Sequence, residues 1–153
     1  MNTTRDNYAL TAGGIAEGTN ANTFKTTYAI TAEIEGRAVY KAPTDNIAYA
    51  AFTGTSITAL AARQTCAFFY MMNAAGAITA IQSSIKPSTL SASYQPGVWE
   101  WPDREGFVCI GATVIRTDGT ATFTAGSTDL GASDVVDTHI DAVGSVTSRP
   151  IAY

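Results

Sequence analysis

Residues 65–82 read Thr-Cys-Ala-Phe-Phe-Tyr-Met-Met-Asn-Ala-Ala-Gly-Ala-Ile-Thr-Ala-Ile-Gln, the clearest hairpin pattern in the chain. Residues 66–72 are apolar or aromatic at every position, so an extended chain here is covered on both faces and belongs in the middle of a sheet. Asn73-Ala74-Ala75-Gly76 then supplies a turn with a Gly that can take positive φ, and 77–82 returns as a second strand. The same arrangement of strand, turn and strand recurs twice. Residues 26–35 turn at Glu35-Gly36 into 37–42, and residues 106–116 turn at Thr117-Asp118-Gly119 into 120–124. Phe107, Val108, Cys109, Ile110, Val114 and Ile115 give the second strand the same apolar character, so 66–72 and 107–115 are the expected core.

Working outward, Tyr28, Ile30, Ala32 and Ile34 alternate with Thr27, Ala29, Thr31 and Glu33, the period-two pattern of a half-buried strand. Ile47, Tyr49 and Ala51 alternate in the same way, and 53–62 reads as loop or a short helical turn. Residues 134–142 set Val135, Asp137, His139 and Asp141 against Val136, Thr138, Ile140 and Ala142, a last strand with one polar, solvent-facing side. No segment of ordinary helix length shows the 3.6 period. The expectation is an all-β domain over 24–153, a hairpin-built sandwich or barrel of about seven to nine strands. It includes one long loop, 83–105, which carries Pro87, Pro96, Gly97 and Pro102. Residues 1–23 are polar, with spaced apolar side chains at Tyr8, Leu10 and Ile15. They read as an extended N-terminal arm that owes its order to contacts with another chain.

Composition narrows the function. Charged residues are 14% of the chain, against roughly 25% for an ordinary soluble domain. Ala, Thr, Gly and Ser make up 72 of the 153 residues. Such side chains lose little entropy when an interface orders them, which favours permanent packing against other chains. The net charge is −4 and the nine Lys and Arg residues are scattered, so the basic footprint that nucleic acid requires is missing from the sequence. No apolar run approaches the ~18 residues of a membrane span, and the chain is expected to fold in the cytoplasm where it is made. Cys66 and Cys109 sit in expected strands as buried free thiols, although a bridge between them is geometrically open.

Candidate chemistry is sparse, and no catalytic, cofactor-binding or metal-ligating residue is assigned. His139 is the sole imidazole, and its local carboxylates Asp137 and Asp141 lie on its own strand face; a hydrolase would need a nucleophile such as Cys66 or Cys109 brought beside it. Asp129, Asp134, Asp137 and Asp141 lack the Asp-x-Asp-x-Asp-Gly spacing of a calcium loop. Residues 13–18, Gly-Gly-Ile-Ala-Glu-Gly, have no Lys-Ser/Thr after them and no strand before them, so they do not make a phosphate loop. Trp99-Glu100-Trp101 sets two indoles on one side of an extended segment. They can anchor a protein interface, stack on sugar rings, or fold back over an open end of the core.

Phe68-Phe69-Tyr70-Met71-Met72-Asn73-Ala74-Ala75-Gly76-Ala77-Ile78, Gly106-Phe107-Val108-Cys109-Ile110-Gly111 and Ala121-Thr122-Phe123-Thr124-Ala125-Gly126-Ser127-Thr128-Asp129-Leu130 together resemble a group of small tailed-bacteriophage virion proteins. These are of the capsid decoration or cement and head-fibre-base type. Lys25-Thr26-Thr27 and Gly36-Arg37-Ala38-Val39-Tyr40-Lys41-Ala42 are similar too, so the resemblance runs from about residue 10 onward. It implies a structural virion protein on the capsid exterior, a homo-oligomer and specifically a trimer, seated on the major capsid protein, with no enzymatic role and no cofactor. Trp99-Glu100-Trp101 departs from the Pro- and Gly-rich loop expected there. Candidate interface residues are Tyr8, Leu10, Ile15, Trp99 and Trp101. The alternative is a carbohydrate-binding or host-adhesion β module that uses the Trp99 and Trp101 loop.

Overall fold

Two long, largely apolar strands pair side by side at the centre of a sheet, and the remaining elements extend its edges or cover its two faces. The structure, a computed structural model, describes residues 7–88, 98–144 and 151–152. In chain order the strands are β1 (Tyr8–Ala9), β2 (Ile15–Glu17), β3 (Phe24–Thr26), β4 (Ile30–Ile34), β5 (Arg37–Lys41), β6 (Thr44–Ile47) and β7 (Gln64–Asn73). They continue with β8 (Ile78–Gln82), β9 (Lys86–Pro87), β10 (Val98–Trp99), β11 (Phe107–Thr117), β12 (Val135–Asp141) and β13 (Ile151–Ala152). The chain is all-β, and among the described residues there is no helix and hence none long and apolar enough to cross a membrane.

The central sheet runs β12-β11-β7-β8, with β9 continuing the β8 edge beside the start of β7. Two three-stranded sheets, β1-β4-β5 and β2-β3-β6, cover one face of it. The core between them takes Cys66, Phe68, Tyr70 and Met72 from β7, Val108, Ile110 and Ile115 from β11, and Phe24, Ile30, Ala32 and Ile34 from the covering sheets. On the other face Ala67, Phe69, Met71, Cys109, Ala112 and Val114 form a second cluster. A segment carrying Trp99 closes it, and β10 pairs there with β13. Residues 66–72 are thus buried throughout, as their composition on both faces demands. Each large apolar side chain enclosed this way contributes about 1.5–3 kcal/mol.

A β-bulge in β11 makes the two faces consistent. Cys109 pairs with Met71 but Gly111 pairs with Tyr70, so Ile110 is an extra residue and the alternation changes parity. Val108 and Ile110 face the first core before the bulge; Thr113 and Ile115, opposite Phe68 and Cys66, face it afterwards. Gly111 is required at the crossing point. A Cβ there would lie 2.6 Å from the Ile140 carbonyl oxygen and 2.6 Å from Ile15 Cγ1.

Several expectations are corrected by the packing. The third hairpin does not close at 120–124: β11 pairs instead with β12, from Gly111 opposite Asp141 to Thr117 opposite Val135. Phe123 and Leu130, both buried, draw the intervening loop down onto the first core, and Phe123 forms only an isolated bridge with Leu60. Tyr28 does not continue the apolar face of β4, because the chain bends between β3 and β4 and leaves its ring 65% exposed. The polar side of β12 is only partly solvent-facing: Asp137 and His139 are half-buried on the same face as Ile115 and Thr113, while Asp141 stays exposed. Of the two expectations for residues 53–62, the loop is the one found, held by paired amide contacts between Gln82 and the backbone of Thr58.

Residues 1–6, the start of the expected arm, lie outside the described residues, as do 89–97 of the long loop. From residue 7 onward this segment runs as two short strands joined by bends and pairs within its own chain: β1 with β4, β2 with β3. Ala9 also bridges Gly144, whose N–H donates to the Ala9 carbonyl at 2.8 Å, so β1 lies between β4 and the segment following β12.

Candidate functional site

The antiparallel register of β11 and β12 sets Thr113 opposite His139 and Ile115 opposite Asp137. His139 and Asp137 are two apart on one strand and therefore share a face. His139 Nε2 lies 2.7 Å from Asp137 Oδ2, and Nδ1 lies 2.8 Å from the Thr113 hydroxyl. That hydroxyl is 2.7 Å from the Tyr70 hydroxyl, which is 3.2 Å from the Tyr49 hydroxyl. Asp137, His139, Thr113, Tyr70 and Tyr49 thus form a continuous polar chain through the first core. Phe24 stacks on the Tyr70 ring with centroids 3.8 Å apart and meets Tyr49 edge-on, which fixes both phenols.

Counting protons assigns the directions. Each hydroxyl has one proton to give, and a neutral imidazole has one donor and one acceptor nitrogen. For a neutral His139, Asp137 can only accept, so Nε2–H donates to it and Nδ1 accepts from Thr113; Thr113 then accepts from Tyr70, which leaves Tyr49 to donate to Tyr70. Every member is satisfied in a single direction, the condition under which a buried polar network is tolerated. Burial pushes the Tyr49 phenol up to about 12 and the Tyr70 phenol well above its ordinary value, so both keep their protons. Thr113 is fully buried, and its oxygen faces Tyr70 and His139 rather than solvent.

The second feature lies on the outer face of the β1-β4-β5 sheet. Ala9, Ala32 and Val39 point inward, so their neighbours Leu10, Thr31 and Tyr40 point outward in one row. The Ala9–Gly144 bridge adds Val143 to the same row. Leu10 is 51% exposed, Tyr40 70% and Val143 48%.

The five candidate interface residues are separated by this geometry. Leu10 lies in the outward row. Tyr8 is half-buried and donates to Glu33 Oε2 at 2.9 Å, and this bond to a carboxylate raises its phenol above the ordinary value. Ile15 is buried against Gly111, with its N–H held by Asp141 Oδ1 at 3.0 Å. Trp99 is 4% exposed within its own chain. Its indole N–H donates to the Ser84 carbonyl at 3.0 Å, and the Lys86 ammonium sits 5.3 Å from the ring centroid. Trp101 is half-buried and meets Phe69 edge-on.

Cys66 and Cys109 are free and belong to the two opposite faces of the central sheet, so no bridge joins them. Burial raises each thiol to about 12. Among the described residues, no three His, Cys, Asp or Glu side chains gather as metal ligands. Comparison with protein-family models, with curated proteins and with solved structures finds no match for this chain.

Proposed function

We propose that this chain is a structural virion protein of a tailed bacteriophage that decorates or cements the capsid surface, as a homo-oligomer seated on the major capsid protein. The observation that carries the assembly part is the outward row Val143, Leu10, Thr31 and Tyr40, an apolar strip across neighbouring antiparallel segments on a chain with few charges. An exposed row of this kind has more to gain from burial than scattered single side chains do. The capsid and the threefold arrangement come from the resemblance described above, and closed rotational symmetry is the usual outcome for identical chains. The alternative sugar-stacking role needs an open indole face. Trp99 offers none, being buried and held through Ser84 and Lys86.

Light scattering after size-exclusion chromatography tests the assembly. The native protein is expected to run as a trimer, and the double variant Leu10→Lys, Tyr40→Lys as a smaller species with unchanged circular dichroism. A native protein that stays monomeric at every concentration overturns the assembly reading. Electron microscopy of purified heads, stripped of this chain and then incubated with it, tests the capsid: outward-lying density is expected, and its absence removes the capsid partner.

A further inference from the structure

We propose that Asp137, His139, Thr113, Tyr70 and Tyr49 form a pH-switched hydrogen-bond relay, in which the charge on His139 sets the direction of the Tyr49 hydroxyl three links away. With His139 neutral, protons point inward from Tyr49 to Tyr70, to Thr113, to Nδ1, while Nε2–H holds Asp137. A proton taken from water and placed on Nδ1 turns that nitrogen from acceptor to donor. Thr113 must then accept from His139 and give its own proton to Tyr70, and Tyr70 gives its proton to Tyr49. Tyr49 in turn directs its proton away from Tyr70. No covalent change other than the one added proton is needed, and both end states leave every buried oxygen between His139 and Tyr49 paired. The imidazolium charge is met by Asp137 at 2.7 Å.

The surroundings isolate His139 as the group that drives this switch. It is the sole histidine, and its two ring nitrogens are donors together only when it carries an added proton. On its own strand Asp137 is its partner, while Asp141 is held by the Ile15 N–H. From β7 and the 48–52 segment it faces Tyr70 and Tyr49 through Thr113, and both phenols stay protonated. Cys66, on the same face of β7, is likewise held protonated by burial. β2, packed beside β12, carries Glu17, and β3 behind it carries Lys25. Arg116 pairs with Asp118 at the far end of β11. No second imidazole competes.

The test follows the tyrosine ring carbons that bear oxygen, by nuclear magnetic resonance with ¹³C-labelled tyrosine, together with the ¹⁵N signals of His139. In the native protein, Tyr49 and Tyr70 are expected to shift with the same midpoint as His139. In Thr113→Val, His139 is expected to titrate still while both tyrosine responses disappear; Thr113→Ser should restore them. Tyr70→Phe, which keeps the ring stack on Phe24, should abolish the Tyr49 response alone and serves if Thr113→Val does not fold. Tyrosine signals that stay flat through the native His139 titration overturn the relay. So does a Tyr49 response that survives in Thr113→Val or Tyr70→Phe, since that would be a field effect through space.

Discussion

Gly111 is where a single methyl group has the largest predictable effect. With Ile140 and Ile15 both 2.6 Å from the position of an added Cβ, Gly111→Ala forces the bulge apart or pushes β2 off β12. Denaturant unfolding should show a loss of about 1–3 kcal/mol, the usual cost of overpacking. Phe69 tests the opposite face of the sheet. It is buried against Trp101, and Phe69→Asp places an unpaired carboxylate there, so a loss of about 3–5 kcal/mol is expected in the same measurement. The thiols make a prediction in pH. Because burial raises Cys66 and Cys109 to about 12, the folded state holds protons that the unfolded state releases. Their contribution to stability is complete below the ordinary thiol value and is lost as pH rises toward 12. Native protein at pH 8 should therefore resist alkylation at both cysteines, and urea-unfolded protein should react at both. Rapid native labelling of either would contradict the burial.

The β4–β5 hairpin shows what one element can specify locally. Glu35 and Gly36 both have positive φ, 52° and 77°, which makes a type I′ turn matched to the twist of its strands. Gly36 takes this conformation freely, and Gly36→Ala should cost about 1–2 kcal/mol in thermal or denaturant unfolding. Glu35 takes it at some expense, so Glu35→Asn should stabilise, by a few tenths of a kcal/mol or more. Turns with such glycines were legible in the sequence, as were 66–72 and 107–115, because apolar residues dominate both faces there. The bulge was not, since Cys109-Ile110-Gly111 differs from its flanks only by a Gly that reads equally well as an ordinary strand residue. Nor was the true partner of β11. Choosing β12 over 120–124 depends on Phe123 and Leu130 being loop anchors, which no local period reveals. The polar chain was hidden for the same reason: Tyr49, Tyr70, Thr113 and His139 meet only once three strand registers are set. Its one sequence signal was Thr113, a lone hydroxyl inside an apolar strand, together with Asp137-Thr138-His139 on a strand of alternating pattern.

At the scale of the whole molecule, the central sheet has two unlike covers: paired strands on one face, and a loop with two indoles on the other. The outward row of Leu10, Tyr40 and Val143 lies on the strand-built cover, so changes there should alter association without touching either core. If the proposed assembly forms through this row, Leu10→Lys alone weakens it while leaving the melting temperature of a dilute, dissociated sample within a few degrees of native. A large fall in that sample would show that Leu10 supports the fold instead. The Ala9–Gly144 bridge has a temporal consequence. A ribosome adds Gly144 135 residues after Ala9, on the order of ten seconds later at ordinary elongation rates. Through that interval β1 has at most one of its two neighbours, so a strand made before β4 is enclosed only after β12 has been made.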